Sequence, residues 1–169
     1  MKLKLLLSVA MISMLFVGCT PATKRYSPIT DTQIKKNVVG TWYRKSNSTT
    51  RDGIRIYTSR SETFYKSGLL KSKSYVSFIN RKGKVVGKFT LDRRFRWYVR
   101  GNRISTKFIS CKMRVRKKPR GIQAELFTDI MKLGCRYANK GLKKRVRSKT
   151  VSYISRNMLI VAGRVFRKK

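Results

Sequence analysis

The stretch RRFRWYVR, residues 93–100, decides the fold. Phe95, Trp97 and Val99 recur at every second position, and Arg94, Arg96, Tyr98 and Arg100 fill the places between them. Successive side chains of a strand point to opposite faces, so this alternation predicts a half-buried strand with an apolar inner side and a cationic outer side. The sequence on either side follows the same rule. Downstream, CKMRVRKK (residues 111–118) sets Cys111, Met113 and Val115 against Lys112, Arg114, Arg116 and Lys118. Upstream, Val85, Gly87, Phe89 and Leu91 share a face, and Ile54 with Ile56 begins a shorter one. Turn formers separate the runs: Asp52-Gly53, Ser67-Gly68, Arg81-Lys82-Gly83-Lys84, Gly101-Asn102 and Lys118-Pro119-Arg120-Gly121. Short strands joined by tight turns predict an antiparallel meander, whose outer strands must be covered or must pair with each other.

One segment changes period. In GIQAELFTDIMKLG, residues 121–134, Ile122, Leu126 and Ile130 recur every four residues, with Met131 and Leu133 beside them. This predicts a single helix near residues 121–133 with an apolar face. Glu125 and Asp129, two of the six acidic residues, sit four apart on it and read as its solvent side rather than as a working carboxylate pair. From Lys143 onward the chain returns to strand character, with Arg156-Asn157 as a turn and Gly163 as a bulge or kink.

The N-terminus has a positive start, Met1-Lys2-Leu3-Lys4, an apolar stretch from Leu5 to Val17, and an abrupt end at Gly18-Cys19. That is the form of an export signal, too short and too abruptly ended for a spanning helix. Phe16-Val17-Gly18-Cys19 resembles a bacterial lipobox, with Phe16 where the pattern prefers Leu. The resemblance implies removal of residues 1–18, acylation of Cys19 and a lipid-anchored protein. Thr20, rather than Asp, follows the cysteine, which in such lipoproteins implies transfer to the outer membrane, facing the periplasm. Residues 19–36 read as a tether, with two of the three prolines and little apolar content, and residues 37–169 read as one β domain. In an exported chain the remaining cysteines, Cys111 and Cys135, form either a disulfide or two buried thiols.

Gly40-Thr41-Trp42 at the head of the first strand resembles the G-x-W signature of lipocalin-like proteins, and the stretch from Val151 to Arg167 is similar to the last hairpin of small lipocalin-like lipoproteins. The fold expectation is therefore mostly β: an antiparallel meander closing into a lipocalin-like barrel, with one helix. The resemblance implies that Trp42 closes one end of the barrel under a basic residue of the final strand, for which Arg167 is the candidate. It also implies a small apolar ligand, with a filled core as the alternative.

Charge carries the main functional signal. The 169 residues include 43 Lys and Arg against 6 Asp and Glu, with no His, for a formal charge of +37. Such a surface repels itself unless a partner neutralises it, and without His it barely changes charge between about pH 5 and 8. The strand parity assigns Arg94, Arg96, Arg100, Lys112, Arg114, Arg116, Lys118 and Arg120, with Lys143, Lys144, Arg145 and Arg147, to an outer anion-binding face. The expected partner is an anionic envelope component, lipopolysaccharide or anionic lipid. A basic scaffold without a specific partner is the second reading. Nucleic acid is a third, weaker one: Trp97, Tyr98 and Tyr43 lie among arginines as base stacking would need, but Trp97 falls on the apolar side of its strand and an exported address disfavours it. No His, metal-ligand cluster, phosphate loop or paired carboxylates points to catalysis, so no enzyme, metal or cofactor is expected.

Overall fold

The structure is a computed structural model describing residues 28–141 and 145–168. The alternating runs form eight strands: β1 (Gly40–Thr49), β2 (Arg55–Phe64), β3 (Leu69–Ile79), β4 (Val85–Arg100), β5 (Arg103–Lys117), β6 (Val146–Ile154), β7 (Met158–Val161) and β8 (Arg164–Lys168). Each pairs antiparallel with the next, and β8 returns to β1 through Trp42 opposite Lys168 and Tyr43 opposite Arg167. The result is a closed, mostly β meander barrel, compatible with the lipocalin-like expectation. All five turn signals fall between elements where the alternation stops. Gly163 does not bulge a strand. With Ala162 it makes the two-residue turn of the β7–β8 hairpin, both at positive φ (48° and 69°), the geometry that matches the twist of the flanking strands.

Among the described residues there are also two helices, α1 (Asp31–Val38) and α2 (Ile122–Gly141). The stretch read as a tether therefore folds from Asp31 onward. Thr30 caps α1, its hydroxyl accepting from the Gln33 amide while the Gln33 side chain accepts from the Thr30 amide. The helix is held in place by Ile34 and Val38, both fully buried against the barrel. Residues 1–27 lie outside the described residues, so the export signal, Cys19 and the first part of the tether do as well.

Two apolar layers fill the barrel ends. The base layer joins Ile34 and Val38 to Trp42, Phe64, Leu70, Trp97, Val99 and residues of β5–β8. Trp42 has no solvent exposure, and its indole N–H donates to the Val38 carbonyl at 2.6 Å. The cation over its ring is Lys168, 5.3 Å from the centroid, whose ammonium also donates to the Val39 carbonyl. Arg167, the candidate from the sequence, is one residue early in a period-two strand and so faces solvent. Gly40 explains the glycine of the signature: its φ is +124°, and a Cβ there would meet Lys168 Cε at 2.6 Å.

The opposite layer contains Val76, Phe78, Phe89 and Leu91, roofed by α2 through Ala124, Phe127, Met131 and Cys135. β6 pairs with β5 only along Arg103–Lys107, which leaves the rest of β5 without that neighbour. An extra residue, Ile109, opposes the Arg94–Phe95 step of β4, so Phe108 and Cys111 both turn inward. Cys111 thereby reaches Cys135 and forms a disulfide between β5 and α2. Asn139 completes the join, its amide pairing with the Cys111 N–H (2.8 Å) and carbonyl (2.9 Å) as a strand would.

The helix is longer than its sequence pattern suggests and is rotated relative to it. It runs to Gly141, and its buried side is Ala124, Thr128, Cys135 and Ala138, whereas Ile122, Leu126, Ile130 and Leu133 face solvent. Small residues and a disulfide set a close approach to the sheet that the larger side chains could not match. Glu125 and Asp129 are exposed, as expected for a solvent side.

Two substitutions test these joins. Trp42→Ala removes a fully buried ring and should cost about 3–5 kcal/mol in urea unfolding. Replacing Cys111 and Cys135 together by Ala should cost about 3 kcal/mol, as the loop-closure estimate gives for a loop of this size, with far-UV circular dichroism retained.

Candidate functional site

Between the two apolar layers the barrel wall is charged on its inside. Arg60 and Glu62 lie two apart on β2, hence on one face, and form an ion pair in which both side chains are largely buried. Arg93 opposes Cys111 on β4 and shares the parity of Phe95 and Trp97, so it points inward with them. From the far side of the barrel come Arg147 and Lys149 on β6 and Arg164 at the start of β8. These six side chains surround a cavity of about 250 Å³ whose other walls include Phe64, Leu70, Phe95 and Ile104. One water needs about 10–15 Å³ of such space, so the cavity admits more than a single solvent molecule.

The cations exceed their partners. Arg60 Nε donates to the Ser72 hydroxyl at 3.2 Å, and Arg93 Nη2 reaches the Ser74 hydroxyl at 3.4 Å. The Nε of Arg93 is buried and has no hydrogen-bond partner. Burial, reinforced by the positive charge of Arg60 and opposed by Glu62, pushes the Arg93 guanidinium down to about 10 from 12.5. Lys149 also titrates below its ordinary value, first because it is partly buried; Glu62 opposes the shift, and Arg60, Arg164 and Arg93 add to it. Glu62 is thus the single carboxylate among five cations, and a buried positive charge without a counter-charge is unfavourable.

A second chamber, about 170 Å³, adjoins the first beneath α2. Arg93, Phe95, Thr106 and Arg147 line both. The rest of its wall is mainly apolar: Leu91, Phe108, Met131 and the Cys111–Cys135 bridge, with Arg145 at its edge. The interior therefore runs from a cationic compartment to an apolar one.

The anion-binding residues expected from sequence divide into three groups. Arg94, Arg96, Arg100, Lys112, Arg114 and Arg116 do lie exposed on the outside of β4 and β5, and Lys118 and Arg120 are exposed in the loop before α2. Several stand opposite like charges: Lys71 faces Arg94, Arg96 faces Lys107 and Arg100 faces Arg103, an arrangement that destabilises the sheet. Arg145 and Arg147, expected on the outer face, line the cavities while remaining exposed, Arg147 standing opposite Thr106 of β5. Lys143 and Lys144 lie outside the described residues. Arg60, Glu62, Arg93, Lys149 and Arg164 are not among the anion-binding residues that the sequence points to. For Arg93 the signal was present, since it has the parity of Phe95. Among the described residues no three His, Cys, Asp or Glu side chains come together as a metal site.

The direction of the Lys149 shift fixes a pH dependence. The folded amine holds its proton less tightly than the unfolded one, so the unfolded chain binds more protons between the lowered value and 10.5. Wild-type stability relative to Lys149→Gln should therefore rise with pH through that alkaline window and level off above it, as measured by urea unfolding. Arg60→Gln should move the Lys149 titration upward and Glu62→Gln downward in carbon-13 NMR of the lysine side chain.

No protein-family model matches this chain, and no curated protein matches it in sequence.

Proposed function

We propose that this protein is a binding module of the cell envelope whose barrel interior takes an anionic amphiphile, its acidic head among Arg60, Arg93, Lys149 and Arg164 and its apolar part under α2. The observation that carries the reading is the convergence of five cations on one carboxylate, Arg60 and Arg93 half-buried and Arg147, Lys149 and Arg164 reaching in from more exposed positions, next to an apolar chamber. An acidic head group would supply the counter-charge that the Arg93 Nε lacks. Charge-assisted hydrogen bonds of this kind contribute about 1.5–3 kcal/mol each. A filled, uncharged core would have needed none of these residues. The chemistry is recognition rather than catalysis.

The export signal and lipobox-like Cys19 support a lipid-anchored protein, on this reading at an outer membrane and facing the periplasm. There, lipopolysaccharide and anionic lipids are the concentrated amphiphiles of the required charge. The like-charge pairs on the outside of β3, β4 and β5 support the same address, since an anionic envelope surface relieves their repulsion.

Titration calorimetry of the full chain with three amphiphiles of equal chain length tests the proposal. Dodecyl phosphate should bind, whereas dodecyl maltoside and dodecyltrimethylammonium should bind at least tenfold more weakly. Arg93→Gln should weaken dodecyl phosphate binding by about tenfold or more, and Arg96→Gln, on the outer face, should leave it unchanged. Equal affinity for the three amphiphiles, or equal effects of the two substitutions, would refute the interior site.

A further inference from the structure

Ile122, Leu126, Ile130, Leu133 and Tyr137 form a continuous exposed apolar stripe along α2, spaced four, four, three and four residues apart, with Leu126 and Ile130 at the edge of a groove against Ile54, Ile56 and Phe78. Ile122 is 84% exposed and Tyr137 72%. The stripe runs about 22 Å along the helix at 1.5 Å per residue. It is not held outward by chance of rotation: the Cys111–Cys135 bridge and the Asn139 pairing with Cys111 fix the opposite side of α2 to β5. A pinned helix with five large apolar side chains in water marks an interaction surface.

We propose that α2 lies flat on an anionic membrane surface, its outward stripe entering the boundary between head groups and acyl chains. Charge selects this occupant. Lys132, Arg136 and Lys140 run along one edge of the stripe, Lys117, Lys118 and Arg120 precede the helix, and Lys143, Lys144 and Arg145 follow it in sequence. The acidic residues Glu125 and Asp129 sit in the first half of the helix, nearer the end where its dipole favours negative charge. An apolar stripe with a basic edge is the pattern of helices that lie in the membrane interface. A second copy of this chain would bring a formal +37 against another +37, and a nucleic acid offers nothing for Ile, Leu and Ile to enter. Tyr137, near the helix end, has the amphipathic ring that suits the head-group level. Among the described residues no helix is long and apolar enough to cross a membrane, so α2 lies on the surface. The proposal does not depend on the barrel interior, and a failure of dodecyl phosphate to bind there would leave it standing.

The test uses the full chain with Ile122→Trp or Tyr137→Trp and vesicles whose acyl chains are brominated. Trp42 and Trp97 are buried, so their emission is a constant background. On phosphatidylglycerol vesicles both introduced tryptophans should shift to the blue and be quenched by the bromines to a similar extent, as a helix parallel to the surface requires. On phosphatidylcholine vesicles neither should respond. Adding Leu126→Asp and Ile130→Asp, at two exposed positions, should abolish the response while far-UV circular dichroism is unchanged. Introduced tryptophans that stay in water on phosphatidylglycerol would overturn the proposal, as would an equal response on both lipids. A blue shift without vesicles that grows with protein concentration would overturn it in favour of self-association.

Discussion

Positive charge folded into the inside of the barrel is the constraint on which the rest of the molecule depends. Arg60, Arg93, Arg147, Lys149 and Arg164 face one another across the lumen with Glu62 as their one acidic neighbour. In a small domain each buried charge lowers stability unless it is paired, and replacing such groups by packed apolar residues is often stabilising. The apolar layers above and below must therefore hold the barrel together without help from its middle. They do so with large rings: Trp42, Phe64 and Trp97 at the base, Phe78, Phe89 and Phe127 at the roof.

The covalent and hydrogen-bonded joins fall where the barrel is weakest. β8 meets β1 over two residue pairs only, and there Lys168 bridges the Trp42 ring and the Val39 carbonyl while α1 closes the base. β5 loses β6 beyond Lys107, and there α2, the disulfide and Asn139 take over. The second join also makes the apolar chamber, because a helix laid over an unpaired strand leaves space that a continuous sheet would close. The same join turns the large apolar side chains of α2 outward. Interior and surface are thus linked by one structural need, the covering of β5.

The period of two in RRFRWYVR and its neighbours was sufficient for the class of fold, the strand sides and the turns, because each depends on local alternation. The helix was visible from its change of period, but not its orientation. Ile122, Leu126 and Ile130 make the stronger apolar stripe in sequence, and only the Cys111–Cys135 bridge and the small residues Ala124 and Ala138 decide that the other side packs. Arg147 and Lys149 belong to a run of basic residues that looks like a surface, and their place along the cavity comes from pairing with β5, a contact some forty residues away in the chain. Lys168 rather than Arg167 over Trp42 depends on a register of one residue, which is beyond what a short signature fixes. Arg93 differs from these, since its parity with Phe95 and Trp97 already aimed it inward.

An anion bound by this protein enters the barrel rather than coating it. Nitrogen-15 NMR of the arginine Nε–H groups during titration with dodecyl phosphate tests it most directly. The Arg93 and Arg60 resonances should move first and saturate together, with the Arg93 Nε–H shifting downfield as it gains a hydrogen-bond acceptor. Shifts confined to Arg94, Arg96 and Arg100 would contradict it and assign the anion to the outer face of β4.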